Sequence, residues 1–317
     1  MLLPSKGGDI FELRDIRTGI DVLSKSPQGL QRAGAPRNEG SGDREFLWNY
    51  AGGWQLLLPN AGAACEIDHR PIPFHGEAAL TSWEWDVVRN DNTGVAIELR
   101  AVLQCVPIRI NRTVSLGRDA TEIVLHDTLT NESEADVSFV LGHHCVLGPP
   151  FLERGCRIET TARTGLTRDA TPGEPSWLAP GQTFAWPHAP REGGGTTDLQ
   201  VVPGPETRRH DGAVLSAFSE GVASVTNNRH ELRFELCWDT AVFPWMALWQ
   251  PFGGVRQPPL RGLYALGLEP LSAPQNLAAA RESGRATVLG AGLQLSTVVS
   301  AKLARTDGTA NAGNTSS

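Results

Sequence analysis

Clustered positive charge is missing from this sequence, and its absence removes one large class of function. The 317 residues hold 28 Lys and Arg against 35 Asp and Glu, a net charge of -7, and the basic residues never form a dense block. Nucleic-acid binding rests on such blocks, so no nucleic-acid partner is expected. Long apolar runs are missing too. No stretch approaches the roughly 20 apolar residues that span a bilayer, so no membrane partner is expected. The start, Met1-Leu2-Leu3-Pro4-Ser5-Lys6, lacks a basic segment followed by an apolar run, which argues against a secretory signal. Cysteine is sparse: Cys65, Cys105, Cys145, Cys156 and Cys237 are odd in number, widely spaced and never arranged as Cys-x-x-Cys. They read as reduced core thiols of a cytoplasmic protein, not as a disulfide framework or zinc site. Tyrosine is nearly absent, with 2 against 9 Trp. Each Trp is either a core residue or a flat platform for a ligand.

Long helical periodicity is also lacking; the nearest candidate is a brief turn around 276–281. Gly (34) and Pro (22) instead punctuate short apolar and β-branched runs. Strand-like alternation marks 94–104, 108–116, 121–130, 135–143, 231–237, 263–269 and 293–299. Many short strands separated by turn chemistry, such as Asn90-Asp91-Asn92-Thr93-Gly94, predict an all-β fold, a large antiparallel β-sandwich or barrel. No fixed-period repeat is present. Residues 26–44 read as a long loop, and 169–197 as an excursion over the surface or the rim of a site. Residues 1–304 are expected to form one domain, with 305–317 a disordered tail.

Two strands share a pattern that carries chemistry. Along Val137–His144, side chains alternate between faces. Val137, Phe139, Leu141 and His143 share the greasier face, which makes His143 a packed core histidine. His144 falls on the other face, with Gly142 two residues before it leaving room for a bound molecule. In Leu263–Glu269, Tyr264, Leu266 and Leu268 point one way; Leu263, Ala265, Gly267 and Glu269 point the other. Again an ionisable residue follows a glycine on a thinned face. An isolated acid there would be a solvated strand-end charge, but the repetition of the pattern favours a functional carboxylate. A third segment, Pro73-Phe74-His75-Gly76-Glu77, places a His at a turn, where it bonds either backbone or a ligand.

These pieces, in this order, resemble the galactose mutarotase-like family, the aldose 1-epimerases. The segment Gly52-Gly53-Trp54-Gln55 … Pro59-Asn60-Ala61-Gly62 … Pro73-Phe74-His75-Gly76-Glu77 is similar to that family's approach to its His-Gly motif. Gly142-His143-His144-Cys145-Val146-Leu147-Gly148 resembles its second histidine motif, usually His-Pro-Tyr-Phe. Trp245-Met246-Ala247-Leu248-Trp249-Gln250, followed by Gly267-Leu268-Glu269-Pro270, resembles the segment carrying its glutamate. The likeness spans roughly residues 45–300. It implies a supersandwich of two large antiparallel sheets with a cleft on one face. It also implies a sugar-ring isomerase that needs no metal or nucleotide cofactor. Carried over, Glu269 would be the general base at the anomeric hydroxyl, His144 the general acid at the ring oxygen, and His75 an orienting group. Both parity and resemblance select His144 over His143. Cys145-Val146 and the following Gly148-Pro149-Pro150-Phe151 depart from the common form and resemble a less characterised branch, which bears on sugar specificity. The family's substrate-binding Asp has no assigned counterpart.

Further substrate contacts are expected from Trp249 or Trp245, with an indole N–H free to bond, and from Gln250, Glu77, Arg70 and Trp83. The expected partner is a small carbohydrate, and the expected state a monomer or homodimer. Three alternatives compete. A non-catalytic sugar-binding sandwich would have lost the Glu or a His. A cupin-type metal isomerase would use His75, Glu77 and His144. A hexose-6-phosphate epimerase would need convergent cations, for which Arg70, Arg109 and Arg112 are available.

Overall fold

Two antiparallel sheets hold most of the strands. The computed structural model describes residues 1–31, 43–169, 171 and 173–306. One sheet has nine strands. Its middle is built from β1 (Trp54–Leu57), β2 (Gly142–Leu147), β5 (Leu266–Leu271), β4 (Trp245–Phe252) and β3 (Arg209–Ser216), adjacent in that order. The other has eight strands, from Arg157–Thr160 at one edge to Glu84–Asp91 at the opposite edge. The all-β antiparallel expectation therefore holds.

Alternation explains the sandwich. Ile108, Ile110 and Val114 of one strand, and Leu232, Phe234 and Leu236 of another, are buried on one face of the eight-stranded sheet. They pack against Leu56, Cys145, Leu215, Leu248 and Leu268 of the nine-stranded sheet in one continuous core. A second apolar cluster covers the other face of the nine-stranded sheet. There Leu57, Val146, Ala247 and Leu271 meet Phe46 and Tyr50, and Leu277 and Ala280. Phe46 belongs to helix α1 (Asp43–Asn49) and Leu277 to α2 (Leu277–Glu282). Hence β2 and β5 are buried at every position, as strands covered on both faces must be.

The expected parity holds although the expected strand is broken. Val137–Phe139 pairs with Thr287–Leu289, whereas β2 starts at Gly142 in the larger sheet. Between them Val140 N–H donates to Pro59 O (2.8 Å) and Leu141 N–H to Ser272 Oγ (2.9 Å). The chain changes partner without changing face: Phe139, Leu141 and Cys145 lie between the sheets, and Val140 and Val146 in the second cluster. The space at Gly142 is not a ligand's. A Cβ there would come 2.5 Å from Leu271 Cδ2, so the glycine admits a neighbouring leucine.

Other expectations shift at their edges. The strand expected from Leu263 begins at Leu266, because Leu263 N–H closes a turn onto Leu260 O. The turn expected at 276–281 is α2, whose Leu277 N–H donates to Asn60 Oδ1 (2.8 Å) and whose Asn276 side chain accepts from Ala279 N–H (3.1 Å), a side-chain N-cap. Glu84–Asp91 was not anticipated; all eight residues are exposed on the edge strand, so no buried face writes alternation into them. Helix α1 was not anticipated either, and begins in the last two residues of the segment read as loop; residues 32–42 of that loop lie outside the described residues. Arg305, expected in the tail, ends the last strand, Gln294–Arg305; residues 307–317 lie outside the described residues. No helix among the described residues is long and apolar enough to cross a membrane.

Candidate active site

The outer face of the nine-stranded sheet carries a cavity of about 460 Å³, within the range of small-molecule sites. Its floor is β2, β5 and β4. Glu269 on β5 lies opposite Ala247, and Gly267 opposite Trp249. A Cβ on Gly267 would stand 2.5 Å from Glu269 Oε1 and 3.0 Å from Trp249 Cβ. Only glycine lets the carboxyl and the indole lie together over that strand. His144 reaches the same point from β2, with Nε2 3.6 Å from Glu269 Oε1 and both side chains 5% exposed. His75 arrives from the loop after β1, its ring centroid 5.4 Å from that of His144. The three residues named from parity and resemblance all line this cavity.

Each imidazole is fixed by its second nitrogen. His75 adopts a left-handed φ of 61° and Gly76 one of 74°. This turn lets His75 Nδ1 accept from Gly62 N–H (2.9 Å), so a neutral His75 carries its proton on Nε2. His144 Nδ1 lies 3.1 Å from Gln55 Oε1, the residue opposite it on β1. Phe46, Tyr50 and Trp249 enclose the His144 ring at 5.7, 5.2 and 5.7 Å between centroids.

Burial sets the proton affinities. Desolvation raises Glu269 to about 7, opposed by the positive charge of Arg168. Desolvation lowers His144 to about 3, with Arg168 acting in the same direction. His75 is pushed well below its ordinary value, first by burial and then by His144 and Arg168. Near neutrality the His144–Glu269 pair thus holds at most one proton, and that proton rests on the carboxyl.

The remaining expected contacts fare differently. Trp249 lines the cavity, but its indole N–H is not free: Nε1 donates to His210 Nε2 at 2.7 Å. Trp245 shares its strand face and packs in the second cluster without reaching the cavity. Gln250 has the opposite parity, falling with Met246 and Leu248 on the side facing the other sheet. Glu77 is turned away by the left-handed pair before it. Its Oε1 accepts from Gln104 and Cys105 N–H, and its Oε2 from the Cys105 thiol, so it is neither a sugar contact nor a metal ligand with His75. Arg70 is exposed on the Cys65–Ile72 hairpin. Trp83 is core, with Nε1 donating to Ala78 O (3.0 Å) and Arg112 stacked 5.6 Å from its ring. Arg109 pairs with Glu132, and Arg112 with Asp127 between the sheets. None of Arg70, Arg109 and Arg112 lines the cavity, so the phosphate clamp suggested for them does not form. Among the described residues no group of three or more His, Cys, Asp or Glu is arranged to hold a metal ion.

Several lining residues were not anticipated. Arg168 immediately precedes the segment read as a rim, Glu174 and Ser176 come from it, and His210 and Asp211 lie on β3. Glu174 is a clasp: Oε2 bonds His210 Nδ1, while Oε1 accepts from the backbone N–H of Arg256 (3.0 Å) and Gln257 (3.4 Å). Asp211 Oδ1 accepts from Ser176 Oγ, Trp177 N–H and Leu178 N–H. Two acids thus pin the rim over the mouth, and Glu174 reaches Trp249 through His210. Arg168 is the one Lys or Arg among the described lining residues.

No curated protein matches the chain in sequence. Solved structures match almost its whole length. The Slr1438 protein from Synechocystis sp. PCC 6803 superposes with a TM-score of 0.70 at 16% identity, over 96% of this chain and 91% of that one. A galactose mutarotase related enzyme from Lactobacillus acidophilus gives 0.64 at 13%, over 96% and 94%. A galactose mutarotase-like protein from Lactobacillus casei gives 0.59 at 15%, over 95% of each chain. At such identities the likeness establishes the fold, a galactose mutarotase-like β-sandwich. A family model covers residues 3–303, and its description is a domain of unknown function, DUF4432. The chain belongs to that family, and its fold is that of the galactose mutarotase-like sandwiches.

Proposed function

We propose that the protein is an isomerase, an aldose 1-epimerase that interconverts the α and β anomers of a free sugar without a cofactor. One observation carries the reading: a buried carboxyl and a buried imidazole stand 3.6 Å apart on the floor of a cavity sized for a pyranose. Ring opening moves two protons. The anomeric hydroxyl gives one to Glu269, and His144 gives one from Nε2 to the ring oxygen. The C1–O5 bond breaks as the C1 carbonyl forms. Rotation about C1–C2 presents the other carbonyl face, and reclosure returns both protons. His75 offers Nε2–H as a donor to the sugar, and Trp249 an aromatic face.

The pair's single proton fits this cycle. With it on His144 the pair is ready to open a ring; with it on Glu269 the pair is in the state that opening leaves behind. Either way the reaction needs one proton between the two groups. The sign of the pH dependence follows. Above about 7 Glu269 loses the only proton, and below about 3 both groups hold one. Facing the pair are Arg168, His75 and Tyr50, while Cys145, on the same strand as His144 but pointing between the sheets, feels the charge of Glu269 through the sheet. Tyr50 and Cys145 are raised well above their ordinary values by burial and stay neutral over this interval. Anomer exchange measured against pH, with the uncatalysed rate subtracted, should give a kcat/KM that falls as pH rises through about 7, by about tenfold per unit. A rate that keeps climbing above that point contradicts a one-proton pair.

A further inference from the structure

Behind His144, on the side away from the cavity, the polar chain continues deep into the fold. Gln55 is fully buried and Asp9 1% exposed. Gln55 Nε2 donates to Gly52 O at 2.8 Å and to Asp9 Oδ2 at 3.1 Å. Asp9 Oδ2 in turn pairs with Lys6. These contacts decide which way the amide points. Reversed, its oxygen would face a carbonyl oxygen and a carboxylate with no proton between them, a buried arrangement that costs several hydrogen bonds' worth of stability. The Gly52 carbonyl can never donate, so the amide nitrogen must face it.

We infer that Gln55, held by Asp9, is a positioning residue that fixes the tautomer of His144, keeping the Nδ1 proton in place so that only Nε2 exchanges protons with the cavity. With Nε2 of the amide committed twice, Oε1 is left to face His144 Nδ1 at 3.1 Å and can only accept. A neutral His144 is therefore protonated at Nδ1 and presents a bare Nε2 to Glu269. A protonated His144 carries its second proton on Nε2, where a ring oxygen can take it. Without Gln55, neutral His144 could also hold its one proton on Nε2. That form cannot take back the proton that ring closure returns, and it leaves Nδ1 bare against the sheet. Wrong-tautomer effects of this kind lower turnover while leaving the binding surface in place. Gln55 does not line the cavity, so it acts through His144 and touches no substrate.

The inference deepens the acid–base reading, but its first test does not depend on it. Nitrogen-15 spectra of histidine-labelled full-length protein report which ring nitrogen is protonated in each of the 8 histidines. The His144 signals are identified by their loss in His144→Gln. In the wild type at pH 8, His144 should show a protonated Nδ1 and an unprotonated Nε2; the opposite tautomer overturns the inference, whatever the protein does to sugars. The second test uses Gln55→Met, close in shape but with no acceptor. Its His144 should populate the Nε2–H tautomer, and with a sugar that the wild type converts, kcat should fall roughly 10–10²-fold at little change in KM. A His144 tautomer unchanged in Gln55→Met overturns the role of Gln55. If that variant does not fold, the wild-type spectrum still decides.

Discussion

Glu269→Gln should slow catalysed anomer interconversion by roughly 10²–10⁴-fold, the usual contribution of a positioned proton-transfer group. The substitution keeps the shape of the side chain. It also keeps the neutral charge that burial gives the carboxyl when protonated, since desolvation raises Glu269 to about 7. The amide therefore fits a place that already favours an uncharged group, and the variant should fold. What it loses is the ability to accept the anomeric proton and hand it back. The loss should appear in kcat more than in KM, because the carboxyl matters most as protons move. An unchanged rate in a folded Glu269→Gln protein, with a sugar that the wild type converts, would remove Glu269 from the chemistry.

Between the two sheets, Arg112→Met should destabilise the fold by about 3–5 kcal/mol, the cost of breaking a buried ion pair on one side only. Arg112 is fully buried, and Nε and Nη2 donate to Asp127 Oδ1 (2.6 Å) and Oδ2 (2.8 Å). Burial alone would raise Asp127, but the charge and hydrogen bonds of Arg112, with help from His143, more than offset it and hold the carboxyl below its usual range. His143 completes the group: Nδ1 accepts from Trp54 Nε1 at 3.0 Å, and Nε2 lies 3.5 Å from Asp127 Oδ2. Removing Arg112 leaves a carboxylate between two sheets facing a histidine that burial keeps neutral. Arg112→Met combined with Asp127→Leu should recover most of the loss, since a well-packed apolar pair can replace a buried ionic one. Chemical denaturation of the two variants beside the wild type checks this. A single variant as stable as the wild type would show that the pair contributes nothing to the fold.

The contrast between His143 and His144 shows what one-dimensional sequence can reveal. Alternation is a local property, so it assigned adjacent histidines to opposite faces even though the strand changes sheets at Val140 and Leu141. The same property placed Glu269 beside Gly267. It could not show that Gly142 makes space for Leu271, because that contact comes from a strand some 130 residues away. Proximity along the chain misled at Glu77, where two left-handed residues, His75 and Gly76, turn the next side chain away. Trp83 and Arg70 were misplaced likewise: a buried Trp and a hairpin Arg carry no mark of which cavity they approach. Glu174 lies where no period runs, Arg168 just past a short strand and His210 on a strand not anticipated, and they meet only once the rim is clasped to β3. Tertiary hydrogen bonds bring them together, and no local pattern encodes those.

The most direct measurement is anomer-resolved proton NMR on freshly dissolved single anomers, across neutral, acidic and phosphorylated sugars, with and without the full-length protein. The account predicts that at least one sugar equilibrates faster in proportion to protein concentration, at neutral pH and in the presence of a chelator. Binding of sugars with no acceleration of any of them would contradict it and leave the pocket a receptor's rather than an isomerase's.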